Sequence, residues 1–309
     1  MSLAVVILNY RTALMTLNCL ESLAPQIEQI PDARVIVVDN ASNDGSAEHL
    51  RDESAARNWH WLRIITLPAN VGFSAGNNRG LNEIGHSEFV LLLNSDTLVH
   101  ERCLEHCMQV MRSDQTIGTM SCLLLNREGT PQVTARRFSP PVRQYVCALG
   151  LPWRIPSLFG WANPEDKWDR RTTRRDVDWI CGAFMFCRAD VLKQLGGLDE
   201  DFFFYGEDYE LCHRIHRAGY RIHYDPAVAT THFGGGSSQI RQQNLELLRH
   251  SWRGRYLIYR KIHGRVATWI LRGIDLANYG GTTLIRRIIG KHESSRHSAS
   301  IFSLLAGRL

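Results

Sequence analysis

Apolar and polar positions follow a repeating pattern through residues 1–100. Four short apolar runs end in polar residues: LAVVILN (3–9), ARVIVVDN (33–40), LRIITL (62–67) and EFVLLLN (88–94). Between the first two runs, Leu14, Leu17 and Leu20 recur at nearly the spacing of one helix face. Runs that are almost continuously apolar are typical of strands buried on both faces of a parallel sheet. The pattern therefore predicts successive β-α-β units and an α/β fold.

Polar residues stand where these predicted strands end, namely Asn9-Tyr10, Asp39-Asn40 and Asn94-Ser95-Asp96. Ligands of open α/β sheets bind beyond the carboxyl ends of the strands, so these residues are candidates for a binding site. A dinucleotide-binding fold is disfavoured because the first turn, LNYRTAL, has none of the glycines that let a pyrophosphate approach a helix. Asp39 also has a structural alternative, since it can cap the turn DNASNDGS.

Asp96 and His232 are candidate ligands for a hard cation. The Asp96 carboxylate follows a strongly apolar strand, so it either faces a cleft or an ion or has a purely structural role at the strand end. Mg²⁺ and Mn²⁺ often take one or two protein groups and complete their shell with phosphate oxygens and water. His232 stands beside three glycines in THFGGGSS, which allow the backbone to approach a phosphate closely.

The stretch FFFYGEDYELCHRIHRAGY (202–220) passes from aromatic residues into the acidic pair Glu207-Asp208. An apolar face then recurs at helical spacing, which predicts a helix that begins at the pair and ends at Gly219. Acids at a helix N-terminus stabilise it by about 0.3–1 kcal/mol, and this is the structural interpretation of the pair. The aromatic residues before it favour a second interpretation, because a carboxylate beside a low-dielectric wall becomes a better base.

Charge divides the chain into an acidic body and a basic C-terminal segment. The whole chain has a net charge of +5, and residues 240–309 hold 13 Lys and Arg against three acids. Those cations are interleaved with apolar and interfacial aromatic residues such as Trp252, Tyr256 and Trp269. An anionic membrane surface is therefore a candidate partner for this segment. Nucleic acid is the alternative, although it is not the partner we expect.

Cysteine usage and the chain start bear on location. No run approaches the roughly 20 apolar residues that a membrane span requires, and MSLAVVILNYR lacks a basic region and a cleavage site. The eight cysteines are scattered singly, which predicts reduced thiols. We therefore expect a cytoplasmic protein, with peripheral attachment to the inner face of the plasma membrane as an option.

Seven motifs together resemble those of the family-2 GT-A glycosyltransferases, and most closely their bacterial rhamnosyltransferase-like branch. The motifs are VVILNYR, VIVVDNASNDGS, NVGFSAGNNRG, LLLNSD, WICGAFMFCR, GGLDEDFFFYGEDYELCHRIHRAGYR and HFGGGS. They occur in family order between about residues 3 and 238. The resemblance implies a GT-A fold, which is a mixed, mainly parallel sheet flanked by helices.

The resemblance also implies a role for each matching residue on the donor side. Tyr10 and Asp39 would hold the base, with Asp39 accepting a hydrogen bond from a pyrimidine imide N–H. The nucleotide side would be lined by Asn70, Gly72 and Asn78 of NVGFSAGNNRG and by Ser95 and Asp96 of NSD, and the sugar pocket by Asp178 and Trp179.

For catalysis, the resemblance makes Asp208 the general base and places Glu207 beside it to orient the loop. Asp96 and His232 would bind a divalent cation, Mg²⁺ or Mn²⁺. Many relatives have two or three acids where this chain has NSD, so Asp96 alone can be a charged ligand there and the metal requirement stays open.

The activity that the resemblance implies is inverting transfer of a sugar from a nucleoside diphosphate. The expected donor is dTDP-rhamnose, from which rhamnose is transferred. The expected acceptor is a bacterial surface glycan, with a lipid-linked glycan as one option. Two alternatives remain: the same fold with a UDP-hexose or UDP-N-acetylhexosamine donor, and a sugar-nucleotide-binding scaffold without turnover. A homodimer is also left open.

The predicted organisation is a catalytic domain over 1–239 and a basic helical extension over 240–309. Within the domain, 1–100 would be the nucleotide-binding half and 179–239 the catalytic and acceptor half. Between them the pattern loosens over 126–178 into a stretch rich in Pro, Arg and Trp. Loops of this length are usually functional or disordered, so we interpret it as a variable insertion on the acceptor side.

Overall fold

The computed structural model describes residues 2–163, 168–234 and 245–288, together with 301 and 303. The strands in these residues are β1 (Leu3–Asn9), β2 (Arg34–Asp39), β3 (Leu62–Thr66), β4 (Phe89–Asn94), β5 (Thr97–Val99), β6 (Ile117–Leu125), β7 (Ala135–Arg136), β8 (Arg175–Val177), β9 (Trp179–Ile180), β10 (Phe184–Arg188) and β11 (Arg221–His232). The helices are α1 (Ala13–Ile27), α2 (Ser46–Ala56), α3 (Phe73–Leu81), α4 (Cys103–Ser113), α5 (Pro141–Ala148), α6 (Leu151–Arg154), α7 (Pro156–Phe159), α8 (Ala189–Leu195), α9 (Glu207–Arg217) and α10 (Leu245–Ile288).

The main sheet has the order β3-β2-β1-β4-β10-β6-β11-β5, with β8 paired to β11. The four N-terminal strands β3, β2, β1 and β4 are all parallel, as their apolar runs predicted. β10 is antiparallel to both of its neighbours, β4 and β6, whereas β6 and β11 are parallel. The sheet is therefore mixed, and the predicted α/β fold is confirmed.

Strand register brings the polar strand ends together at one edge of the sheet. Asn9 at the end of β1 lies opposite Asp39 at the end of β2, and Leu8 lies opposite Asn94 at the end of β4. The residues before them, such as Val5 and Val37, are fully buried in the core, so the register is fixed by apolar packing. The first polar side chain after each run is consequently left at the rim of the sheet.

Strand β11 carries His232 to the same edge. It pairs with β6 over most of its length, with an irregularity between Asp225 and Ala229, and its last residues pair with β5. His232 lies opposite Thr97, the residue that follows Asp96. Gly235 and Gly236 of the predicted glycine loop lie outside the described residues.

The chain divides into two compact units. The first, Met1–Arg136 and Lys167–Gln243, contains the sheet, and the second comprises Arg137–Asp166 and Asn244–Leu309. The predicted extension thus shares a unit with part of the predicted insertion. The physical reason is a common apolar cluster, in which Tyr145 and Ala148 of α5 pack against Tyr256, Tyr259 and Leu271 of α10.

Helix α10 is interrupted at Gly264, whose φ of 84° and ψ of 177° are not helical. Only glycine adopts such a conformation without strain, so the residue separates the helix into two stretches. Across the described parts of the chain, no helix is both long enough and apolar enough to cross a membrane.

Candidate active site

The ends of β1 and β2 are joined by a buried hydrogen-bond network around Asp39. Asn9 Nδ2 donates to Asp39 Oδ1 at 2.7 Å, and the backbone N–H of Ser42 donates to Asp39 Oδ2 at 3.1 Å. Asn9 Oδ1 accepts from the hydroxyls of Thr12 at 3.0 Å and Thr16 at 2.8 Å. Asp39 is only 2% exposed, and its carboxylate accepts hydrogen bonds from Asn9 and from the turn that follows β2. The capping role is therefore present, and the base-binding role stays a prediction.

Tyr10 and Ser95 lie on either side of this network. Tyr10 is 41% exposed, and the Arg11 guanidinium carbon is 5.2 Å from its ring centroid. Ser95 Oγ is 3.1 Å from Thr12 Oγ1, which links the end of β4 to the turn after β1. The Tyr10 ring is thus partly exposed with a cation over it, and its role in binding the base stays a prediction.

The loop before α3 is held by amide side chains. Asn40 Nδ2 donates to Asn70 Oδ1 at 2.9 Å, and the Gly72 N–H donates to the same oxygen at 3.0 Å. Gly72 has a φ of 87°, and a Cβ there would lie 2.6 Å from the carbonyl oxygen of Phe203. The next residue, Phe73, donates its N–H to that same carbonyl at 2.6 Å. Glycine is required at position 72 because the loop before Asp208 lies directly against it.

Asn78 is bound to the same loop further upstream. Its Nδ2 donates to the Leu198 carbonyl at 2.8 Å, and its Oδ1 accepts from the Leu198 N–H at 2.9 Å. A second bond joins Nδ2 to Glu200 at 3.0 Å. The amide of Asn78 is therefore used to anchor the segment before the acidic pair, whereas the sequence predicted a place for it among the nucleotide contacts.

The tautomer of His232 is fixed by Gln132. Gln132 Nε2 donates to the His232 carbonyl at 2.7 Å and to Asn126 Oδ1 at 2.9 Å, which leaves Gln132 Oε1 as the acceptor facing His232 Nδ1 at 2.9 Å. Nδ1 then carries a proton, and in the neutral imidazole Nε2 has the lone pair. Nε2 lies 3.4 Å from Asp96 Oδ1 and 3.4 Å from Asn94 Nδ2. Sequence reasoning missed Gln132.

These groups fit a divalent cation of the Mg²⁺ or Mn²⁺ type. In its neutral form His232 has a lone pair on Nε2 beside the Asp96 carboxylate, and Asn94 Oδ1 is a buried oxygen without a hydrogen-bond partner among the described residues. Two or three protein donors with phosphate oxygens and water make an ordinary shell for such ions. The described residues contain no cluster of three or more His, Cys, Asp or Glu, so the charged part of the site is limited to this pair.

The acidic pair Glu207-Asp208 begins helix α9, as predicted, after two residues in the left-handed region. Tyr205 has a φ of 72° and Gly206 a φ of 108°. Such a conformation is strained for tyrosine, and strained backbone clusters at functional sites. The four aromatic residues 202–205 before the pair differ in burial. Phe202 is 2% exposed, whereas Phe203 is 40% exposed.

The two carboxyl groups have different environments. Glu207 is 6% exposed, and its Oε2 has no hydrogen-bond partner in the structure. Burial, with the charge of Asp208, raises the pKa of Glu207 to about 8. Asp208 is less enclosed and accepts bonds from the N–H of Gly182 at 3.1 Å and of Tyr209 at 2.8 Å. Burial raises the pKa of Asp208 above its ordinary value, against the lowering effect of those two bonds. Glu207 therefore holds its proton near neutral pH, which leaves Asp208 as the candidate base of the pair.

Aromatic and cationic side chains surround Asp208. The rings of Trp179 and Tyr209 lie 5.5 Å apart, and the Arg136 guanidinium carbon is 5.5 Å from the Trp179 ring. Strands β7 and β9 bring Arg136 opposite Trp179, and the Asp178 N–H donates to the Arg136 carbonyl at 3.1 Å. The positive charge of Arg136 lowers the pKa of Asp208 as a minor effect. The structure thus places Trp179 against Tyr209, the residue after Asp208, and it adds Arg136, which the sequence did not indicate.

We expect Glu207→Gln to change the pH dependence of stability. The pKa of Glu207 is raised from 4.5 to about 8, so the unfolded chain releases this proton first and the free energy of unfolding falls as pH rises between those values. The slope is at most about 1.4 kcal/mol per pH unit. The variant lacks this group, so denaturant unfolding between about pH 6 and pH 8 should show its stability relative to the unchanged chain rising with pH.

Glu210→Gln is the matched control for this measurement. Glu210 is also buried, but it pairs with Arg214 at 2.8 Å, so its loss should lower stability by a similar amount at each pH. A Glu207→Gln curve parallel to that of the unchanged chain would show that Glu207 does not hold its proton in the folded state.

The mixed sheet, with its candidate site at the carboxyl ends of parallel strands, has the GT-A fold of the solved structures that it matches. The chain belongs to the family described as glycosyltransferase like family 2, whose model matches residues 2–250. The predicted family is therefore confirmed.

Relatives and solved structures extend this assignment. The chain is 24% identical over 210 residues to an N-acetylglucosaminyl-diphospho-decaprenol L-rhamnosyltransferase of Mycobacterium tuberculosis, covering 64% of this chain and 66% of the relative. It is 28% identical over 224 residues to the low-salt glycan biosynthesis hexosyltransferase Agl10 of Haloferax volcanii, covering 71% and 63%. The chain thus spans less than two thirds of either relative. A mannosyltransferase from Pyrobaculum calidifontis, solved with GDP-Man and Mn²⁺, matches in fold with a TM-score of 0.56 at 16% identity, covering 98% and 85%.

Proposed function

We propose that the protein is an inverting glycosyltransferase that moves a sugar from a nucleoside diphosphate to an acceptor hydroxyl. The observation that carries this proposal is the Asp208 carboxylate, which is oriented by the N–H groups of Gly182 and Tyr209 and has a pKa raised by burial. Inversion needs one base and a stabilised leaving group. Asp208 would supply the base, and the strand-end residues would hold the diphosphate.

In this mechanism Asp208 removes the proton of the acceptor hydroxyl as the oxygen attacks the anomeric carbon from the side opposite the diphosphate. The two backbone N–H groups hold the carboxylate in one orientation, so it need not reorganise during proton transfer. Trp179 and Tyr209, whose rings lie 5.5 Å apart, would offer apolar ring faces to a sugar. Glu207 keeps its proton near neutral pH and thereby avoids a second negative charge beside the base.

Donor-side binding falls to the strand ends. Tyr10 and Asp39 would contact the base, and Asn70, Gly72 and Ser95 the rest of the nucleotide. Asp96 and His232 Nε2 would hold a divalent cation, which when bound would neutralise charge on the departing diphosphate. The protein residues fix the position of that charge, since His232 is held by Gln132 and by strand β11.

The donor that we favour is dTDP-rhamnose, and the acceptor is a bacterial surface glycan carried on a lipid. The support is the name of the mycobacterial relative, which contains both a rhamnosyl donor activity and a diphospho-decaprenol acceptor. The hexosyltransferase from Haloferax volcanii supports the alternative of a UDP-hexose or UDP-N-acetylhexosamine donor on the same fold. A scaffold that binds a sugar nucleotide without turnover is disfavoured by the Asp208 carboxylate, whose fixed orientation and raised pKa suit a general base.

A panel of nucleotide sugars tests this proposal. We expect dTDP-rhamnose with Mn²⁺ to raise the Tm more than dTDP alone, UDP-glucose or UDP-N-acetylglucosamine, because a ligand that binds only the folded state stabilises it by mass action. A larger shift with a UDP-sugar would select the alternative donor. Binding without donor hydrolysis or transfer to any lipid-linked glycan acceptor would favour the scaffold.

A further inference from the structure

The second unit, Arg137–Asp166 and Asn244–Leu309, exposes an unusual amount of apolar surface. Fourteen large hydrophobic side chains of the described residues are exposed, and ten of them belong to this smaller unit. They are Val142, Leu149, Trp153, Ile155, Leu158, Trp161, Val266, Trp269, Ile270 and Leu284. Scattered exposed apolar residues are normal, but such a concentration indicates a binding surface.

One part of this surface is the segment 153–161, which contains α7 and the turn after it. Trp153 is 61% exposed, Leu158 67% and Trp161 60%. Two exposed tryptophans and a leucine within nine residues cannot be explained by the core of the unit, which is formed by Tyr256, Leu271 and their neighbours. The sequence predicted a variable insertion on the acceptor side here, and it gave no sign that the segment belongs with the basic extension.

The other part is an outer stripe on α10 after its break at Gly264. Its residues are Val266, Ile270, Gly273, Ala277, Gly281 and Leu284, all exposed and spaced by three or four. This is the spacing of one helix face, and the stripe contains no charged residue. Cβ atoms built on Gly273 and Gly281 would meet nothing within 4 Å, so the stripe is open along its length. Trp269, 70% exposed, extends its edge.

The charge of the same unit is one-sided. Arg154 is exposed next to Trp153, and Arg265 is exposed next to Val266. Asp275 has the one carboxylate among the described side chains of the unit. It is 2% exposed, accepts a hydrogen bond from Tyr256 at 2.8 Å and pairs with Arg255 at 3.3 Å. The described surface therefore carries cations and apolar groups without an exposed carboxylate.

We propose that segment 153–161 and the outer stripe of α10 bind the surface of an anionic lipid bilayer. Tryptophan concentrates at the membrane interface because its ring is amphipathic, and each cation near an anionic surface adds attraction. Nucleic acid would not account for an uncharged helix face, and a protein partner would not account for the absence of exposed carboxylates among the described side chains of this unit. The inference is independent of the donor chemistry of the first unit.

Vesicle binding by the full-length chain tests the inference. The probes are vesicles of phosphatidylcholine alone and of roughly 70% phosphatidylcholine with 30% phosphatidylglycerol. We expect co-sedimentation with the anionic vesicles, weakened by salt, and a blue shift of tryptophan fluorescence that brominated lipid quenches. Trp153→Ser with Trp161→Ser should lower the partition coefficient by about tenfold or more, and so should Val266→Ser with Trp269→Ser, because each pair removes buried apolar area.

Leu14→Ser is the matched control, since Leu14 is 70% exposed on α1 of the first unit and should bind vesicles as the unchanged chain does. Circular dichroism and Tm of each variant separate lost binding from lost folding. Equal binding by all variants, or no binding to either vesicle, would overturn the inference. So would a dimer or a DNA complex that the two double variants abolish while vesicles bind nothing, because the surface would then belong to a second copy or to nucleic acid.

Discussion

Asp208→Asn is expected to lower kcat by about 10²–10⁴-fold and to leave the Kd for the nucleotide sugar nearly unchanged. The amide has the shape of the carboxylate and can still accept a hydrogen bond from Gly182 or Tyr209, but it cannot take a proton. The base must be ionised to act, so kcat of the unchanged chain should fall as pH drops through the pKa of Asp208, which burial raises. The variant should lose that acidic limb. Steady-state kinetics across pH with donor titration measures both effects.

Asp190→Asn provides a closely matched control. Asp190 is the second residue of α8, as Asp208 is of α9, and each accepts a hydrogen bond from the next backbone N–H at 2.8 Å. Asp190 is exposed and lies on a different helix, so its amide variant should keep kcat. Full turnover in Asp208→Asn would remove the base assignment. A parallel loss of donor binding would instead assign Asp208 to the structure of the loop.

Asp96→Asn is expected to abolish Mn²⁺ binding and to lower kcat/KM by about 10²-fold or more, because a cation that stabilises the leaving diphosphate contributes several kcal/mol. Asp96 is the charged oxygen donor beside His232 Nε2, and an amide there removes the charge while preserving shape. Mn²⁺ binding measured by electron paramagnetic resonance, with and without nucleotide diphosphate, gives a readout that does not depend on turnover. Added chelator should reproduce the kinetic loss in the unchanged chain.

His100→Gln is the control for this region. His100 Nε2 lies 2.9 Å from the hydroxyl of Thr231, the residue before His232. The His100 ring itself lies on the exposed side of β5 and β11. Its loss should leave Mn²⁺ binding in place. If Asp96→Asn binds Mn²⁺ as the unchanged chain does, or if chelator has no effect on turnover, the cation is not held at Asp96 and the diphosphate must be stabilised by other groups.

The fold could be predicted in its parallel half because each strand there is buried on both faces. A strand such as β1 is then marked by an unbroken apolar run, and the polar residue that ends it marks the edge where ligands bind. The antiparallel strands are less visible. Strand β7 has only two residues, and it lies in a stretch without periodicity. Its pairing with β9 depends on a partner about 45 residues away, which no local pattern encodes.

The candidate site shows the same limit. Asp208 and Asp96 stand out because charge at the end of an apolar run is costly unless it is used, and His232 stands out because three glycines lie beside it. Arg136 and Gln132 give no such signal, since polar residues in a loose stretch are expected in any loop. Asn78 was predicted at the nucleotide, but it binds the Leu198 backbone 120 positions further along the chain. The motif NVGFSAGNNRG indicated that Asn78 has a specific role, but it did not indicate which residue Asn78 binds.

The close contact between Gly72 and Phe203 has a consequence for the design of chimeras. Residues 72 and 73 meet the Phe203 carbonyl, and Asn78 is bonded to Leu198, so the segment that carries donor-side residues is built against the segment that leads to Asp208. An exchange of residues 1–100 between two homologues would separate surfaces that fit each other. A chimera that also carries residues 197–204 from the same parent should express and fold better than one that does not.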